Sequence, residues 1–201
     1  MAYKTRGCSR RVTPMNAAHL EFCSSPEWRA MVEELVLPAA LPAAGLGDDV
    51  IEIGPGPGFT TDVLRKRAGR VTAVELDSAL AENLATRLAG TNVDVVHGDA
   101  TALDLPAGRF SGAASFNMLH HVPTSAAQDR VFAELARVLQ SGGVLAVADS
   151  IPSDGLRAFH EGDTYNPIDP GVLPGRLAQA GFVAIDVQTY ELGWTCAAQA
   201  A

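Results

Sequence analysis

At 201 residues the chain has room for one domain with a sizeable core, and none for a nucleotide-binding domain followed by a separate substrate domain. Its net charge of −8 is uneven: Lys4, Arg6, Arg10 and Arg11 precede the first acidic residue, leaving eleven basic against 23 acidic residues and a charge of −12 beyond them. That acidity repels phosphate backbones at long range, so no nucleic-acid partner is expected, and three scattered cysteines, Cys8, Cys23 and Cys196, suggest neither a disulfide framework nor a zinc site and fit a reducing cytoplasm.

Residues 1–14 read as a disordered leader ahead of one domain over 15–201. Arg10-Arg11 is not followed by an apolar run, which argues against a twin-arginine export signal. Residues 15–48 form an N-terminal helical cover. Ser25 as N-cap and Pro26 in the first turn predict a helix from Pro26 to Leu37, with Trp28, Met31, Val32 and Leu35 on one face. Asn16, His19, Phe22 and Cys23 before it either touch a ligand or simply pack the segment onto the domain. The most apolar stretch nearby, Leu35 to Leu46, carries Pro38 and Pro42 and is too short to span a bilayer, so no membrane association is expected.

The core, residues 49–150, opens on VIEIGPGPG at 50–58. Val50, Ile51 and Ile53 suit a buried strand, and Gly54, Gly56 and Gly58 remove every Cβ where a ligand would press against the turn. A helix is predicted over Phe59 to Arg67, with Thr60, Thr61 and Asp62 offering oxygens to the free N–H groups of its first turn. The Gly-x-Gly-x-Gly spacing is one residue tighter than a pyrophosphate-binding loop. Next comes a strand over Val71 to Glu75, ending on a carboxylate 19 residues after Gly56, near the offset at which an acid reaches ribose hydroxyls. Asp77 caps a helix over Ser78 to Leu88. A third strand, Val93 to His97, leads to Asp99, which can accept from an exocyclic amine.

Further on, Ser111 to Phe116 is a fourth strand, Ser125 to Leu139 a helix, and Val144 to Ala148 a fifth strand after a Ser141-Gly142-Gly143 turn. Residues 151–201 hold a polar segment, Phe159 to Pro167, suited to facing a substrate. Then come a helix over Pro170 to Ala180 closed by Gly181 and strands over Phe182 to Tyr190 and Trp194 to Ala198, joined at Leu192-Gly193. Strand–helix alternation followed by a short connection implies an α/β fold, mostly parallel with an antiparallel end.

Five segments, EIGPGPG, VTAVELD, GDATALDLP, FSGAASFNMLHHV and RVLQSGGVLAVADS, occur in order over residues 50–150 and resemble the class I S-adenosylmethionine-dependent methyltransferases, most of all the small single-domain members. The resemblance implies a three-layer Rossmann-like sandwich with a mostly parallel seven-stranded sheet and a C-terminal antiparallel hairpin. It implies S-adenosyl-L-methionine as cofactor, held by Glu52, Gly54, Pro55, Gly56, Gly58, Glu75, Leu76, Asp99, Ala100 and Asn117, and methyl transfer to a small-molecule acceptor by in-line displacement. Two other readings stay open: a non-catalytic module that binds the same cofactor, and a small NAD(P)-dependent oxidoreductase.

Methyl transfer from a sulfonium needs positioning more than catalytic side chains. Where the nucleophile carries a proton, His120, His121 and His160 are candidate acceptors, since imidazole titrates near neutrality. The alternative for the first two is that one caps or packs the helix opening near Pro123 while the other is solvated, and for the third it is a solvated polar loop. No metal is expected: His160, Glu161 and Asp163 crowd one short segment without further clustered ligands.

Overall fold

The computed structural model describes residues 16–191 and 193–201; the expected leader at 1–14 and Leu192 of the terminal connection lie outside them. Seven strands form one sheet: β1 (Asp49–Ile53), β2 (Arg70–Glu75), β3 (Val93–His97), β4 (Phe110–Phe116), β5 (Leu139–Ser150), β6 (Phe182–Tyr190) and β7 (Gly193–Ala200). Their order is β3-β2-β1-β4-β5-β7-β6. Strands β1 to β5 pair in parallel, whereas β7 runs antiparallel to both β5 and β6. This is the expected parallel sheet finished by an antiparallel hairpin. The strand order reverses between β1 and β4, and in open α/β sheets the crevice at that point, beyond the carboxyl ends of the strands, is where ligands bind.

Alternation along β1 explains the two layers of core. Ile51 and Ile53 face a cluster containing Val131, Phe132 and Leu135 of α6 (Ser125–Val138) and Leu173 and Leu177 of α8 (Leu173–Ala180). Val50 faces the opposite cluster, with Val32, Val36, Leu37 and Leu64. Both faces of the sheet are thus covered, as parallel strands require. Asp77 caps α5 (Ser78–Arg87), accepting from the Ala79 and Leu80 N–H groups, and Thr124 caps α6 through Ala127 N–H.

Three local expectations change. Helix α2 (Pro26–Met31), capped by Ser25, continues through a π-helical turn at Val32–Val36 into α3 (Leu37–Ala40). Pro38 has no N–H to give to a carbonyl four residues earlier, and the wide turn closes instead on a Leu37 N–H to Val32 O bond. Strand β5 begins at Leu139, because Leu139 pairs with Phe110 before a register shift carries the chain to Val144 opposite Gly112. Helix α4 covers only Phe59–Leu64, and its N-cap is Gly58, without a side-chain cap. The residues after β5 hold a short helix, α7 (Asp154–Phe159), just ahead of the polar segment.

Candidate functional site

Gly54, Gly56 and Gly58 adopt φ of 67°, 54° and 90°, the left-handed region open to glycine at little cost. Gly54 is also pressed: a Cβ there would sit 2.1 Å from Met118 Cγ, whereas one at Gly56 would meet nothing within 4 Å. The loop is therefore packed against the core at its start and open at its centre. The loop is held from β2 by Glu75, whose Oε2 accepts from Gly56 N–H at 3.0 Å while its Oε1 accepts from Asp77 N–H, after the strand, at 3.0 Å. On the outer side, Arg87 of α5 donates to the Pro57 and Gly58 carbonyls, each at 3.1 Å, and to Asp62 at 2.7 Å.

Thr60 and Thr61 do not cap the helix. Their hydroxyls turn back and donate to the two oxygens of Glu52, that from Thr61 at 2.6 Å. Glu52 is 1% exposed, and this burial, partly offset by the two threonines, pushes its carboxyl up to about 7. Both Glu52 oxygens are thus engaged beneath the loop. Burial likewise raises Glu75, against the lowering effect of its backbone N–H donors.

Leu76, at the end of β2, is exposed, and its carbonyl lies 3.0 Å from His97 Nε2. Asp99 Oδ1 accepts from Thr101 N–H at 2.8 Å; Asp99 Oδ2 and the Ala100 N–H have no hydrogen-bond partner among the described residues. Asn117 stands at a left-handed φ of 51° directly after β4, with its N–H on Ala148 O. Gly54, Pro55, Phe116 and Asn117 line one wall of a cleft whose other wall is Cys23, Trp28 and Val32 of the N-terminal helices. The structure thus groups Gly54, Pro55, Gly56, Gly58, Glu75 and Asn117 around the loop, with Leu76, Asp99 and Ala100 beyond the ends of β2 and β3.

A model of the methyltransferase domain family matches residues 51–147, the stretch that carries the glycine loop, both acidic strand ends and Asn117. This resemblance covers just under half of the chain. The fold of this chain is shared with an S-adenosylmethionine-dependent methyltransferase of Aquifex aeolicus, at a TM-score of 0.70 and 18% identity over 94% of this chain and 100% of that one. Curated relatives include a probable ribosomal RNA small subunit methyltransferase A of Pyrococcus furiosus, 48% identical over 59 residues, covering 29% of this chain and 22% of the relative. The corresponding protein of Deinococcus radiodurans is 41% identical over 104 residues, covering 49% of this chain and 36% of the relative. The match therefore spans only about a fifth to a third of the length of those relatives.

These names overturn one expectation. The acidity of the chain points to a small-molecule acceptor and no nucleic-acid partner, yet the relatives are named for ribosomal RNA. Net charge is a long-range average, and a local surface can act against it. No described helix is long and apolar enough to cross a membrane.

The three histidines singled out in the sequence lie together, and His19 joins them. His120 is buried, with its Nδ1 2.5 Å from Asp149 Oδ1 and its N–H on Asp149 Oδ2 at 3.1 Å. His160 is buried with Nδ1 2.6 Å from Leu156 O, and His19 with Nδ1 3.0 Å from Asp163 Oδ2. His121 Nδ1 lies 3.7 Å from Asp163 Oδ1, and burial followed by the neighbouring imidazoles pushes its ring down to about 2. Burial also lowers His19 and His160. Rings that resist protonation make poor proton acceptors.

Asn16 and His19 follow the packing reading of the N-terminal segment. They pack it, since Asn16 Nδ2 donates to the Phe159 carbonyl at 2.9 Å, and they bring His19 to the other histidines. Asp149 and Asp163, the carboxylates behind those rings, were not singled out together. The available signal was that Asp149 closes the VLAVAD run of a fifth strand.

Proposed function

We propose that this chain transfers a methyl group from S-adenosylmethionine to an acceptor presented beyond the carboxyl ends of β4 and β5. The observation that carries the reading is the Glu75–Gly56 pairing at the strand-order reversal. An ionised carboxylate offers about four lone-pair sites, and Glu75 spends two on Gly56 and Asp77 N–H groups, leaving two for vicinal hydroxyls. The open centre of the loop at Gly56 accommodates a ligand's backbone-hugging portion. The free Asp99 Oδ2 and Ala100 N–H are matched to an adenine edge, one accepting from its amine and the other donating to its ring. Leu76 offers an exposed apolar surface to the same base. These features fit the nucleoside.

When bound, S-adenosylmethionine supplies an electrophilic methyl carbon on a sulfonium. The part left to the chain is to orient and to exclude water. Asn117, held by the Ala148 carbonyl, fixes the wall beside the methionine portion, and Trp28 and Val32 close the opposite side. No proton transfer is assigned to His121, whose ring resists protonation. Domain limits follow the same reading, with 15–48 as cover, 49–150 as cofactor core and 151–201 as acceptor-facing segment and hairpin.

The test is titration calorimetry with S-adenosylhomocysteine and NAD, on the unaltered chain and on Glu75→Ala. Binding of the homocysteine compound that weakens at least tenfold in the variant is expected. Binding of NAD in its place would refute the proposal in favour of an oxidoreductase. Transfer of a labelled methyl group is then followed with small-subunit ribosomal RNA, the substrate named for the relatives, as the first acceptor. Cofactor binding without transfer to any acceptor would favour a non-catalytic binding module.

A further inference from the structure

His19 on α1 (Ala17–Cys23), His120 and His121 in a 3-10 turn (Leu119–His121), and His160 directly after α7 come from three stretches of chain far apart in sequence. One imidazole nitrogen from each lies within 4.8 Å of the others. The ring centroids are separated by 4.2 to 6.5 Å over all six pairs. Three of the four, His19, His120 and His160, are at most 5% exposed.

The tautomers decide what the cluster can hold. The Nδ1 of His19 and of His120 faces a carboxylate and that of His160 faces a carbonyl. Carboxylate and carbonyl oxygens only accept, so each of those Nδ1 atoms carries the proton and each Nε2 is left with a bare lone pair. His120 Nε2 and His160 Nε2 are buried without any hydrogen-bond partner. Lone pairs cannot satisfy one another. Behind the rings stand Asp149 and Asp163, whose side chains are each 1% exposed and whose ionic partners among the described residues are these histidines alone. A ring nitrogen turned inward with the other nitrogen donating to a carboxylate or carbonyl is the outer-shell arrangement of metal-bound histidine.

We propose that His19, His120, His121 and His160 form a closed four-imidazole site for one divalent first-row transition cation, zinc being the first to test. Imidazole suits such ions, and four protein ligands, three of them buried, with no open position mark a structural rather than a catalytic site. With bonds of about 2.0–2.1 Å, tetrahedral nitrogens stand about 3.4 Å apart, so the rings draw inward by about an ångström on binding. Two carboxylates behind neutral rings give the site the charge a divalent cation balances. The bound ion ties α1 and the segment after α7 to the end of β4, and so fixes the acceptor side of the cleft. Asp149 and Asp163 are positioning residues. The proposal stands independently of methyl transfer.

The test uses the full chain stripped with chelator and titrated with Zn(II), then with Co(II) alone. One equivalent of Zn(II) per chain is expected, with a rise in melting temperature that chelator reverses. Co(II) is expected to give the intense visible bands of a tetrahedral centre. His19→Ala and His160→Ala are expected to abolish stoichiometric binding. Asp149→Asn is expected to weaken it about 10–100-fold, and His97→Ala, outside the cluster, to leave it intact. Less than a tenth of an equivalent bound by the unaltered chain would overturn the proposal, as would the weak bands of octahedral cobalt. Full retention of metal by both histidine variants would do the same. The cobalt titration of the unaltered chain needs no variant to fold.

Discussion

Replacing Glu52 by Gln isolates the energetic cost of a carboxyl held under the glycine loop. Its protonation midpoint in the folded chain lies at about 7 against an ordinary 4.5, and each pKa unit is worth about 1.4 kcal/mol, so ionising it in place costs about 3 kcal/mol of stability. The folded chain binds more protons at this group than the unfolded chain does. Stability from it is therefore fully present below pH 4.5, falls as pH rises toward 7, and stays lost above. Gln does not titrate and keeps an oxygen for one threonine hydroxyl, while its amide donates to the other. Urea unfolding of both proteins at pH 4.5 and pH 8 should show the variant gaining about 3 kcal/mol relative to the unaltered chain across that interval. Comparing the two proteins cancels Glu75, which is raised in the same direction. A stability difference that stays constant between the two pH values would refute the reasoning.

Gly54→Ala places a methyl 2.1 Å from Met118 Cγ at a φ of 67°, so it should cost at least the 1–2 kcal/mol of a left-handed alanine, read as a lowered denaturant midpoint together with weaker binding of S-adenosylhomocysteine. Thr124→Ala removes the oxygen that accepts from Ala127 N–H at the start of the 14-residue α6; a loss of about 1 kcal/mol in urea unfolding, with cofactor affinity unchanged, is the expected result.

The features legible in the sequence were those written locally. The run Val50 to Gly58 announces its own strand and turn, Glu75 and Asp99 announce strand ends, and Ser25 and Asp77 announce caps. What escaped depends on partners supplied by other elements. Thr60 and Thr61 looked like capping residues, but a buried carboxylate two strand positions before the loop competes for the same hydroxyls, and the loss of two helix caps is less costly than an unsatisfied charge. The π turn at Val32–Val36 arises from Pro38, which was noted only as a bar to membrane spanning. The histidine cluster was out of reach for a topological reason. His19 and His160 are separated by most of the chain and meet only because α1 folds back over the ends of β4 and β5. Charge misled in the opposite way: summing to −12 describes the far field and says little about any one surface.

Arg87 gives the glycine loop a property that its sequence alone does not. With Pro57 and Gly58 carbonyls and Asp62 all on one guanidinium, and Glu75 on the inner side, the floor of the cleft is rigid before anything enters it. The ordering entropy of that floor is lost during folding and not at association. The opposite wall, Cys23, Trp28 and Val32, is supplied separately by the N-terminal helices.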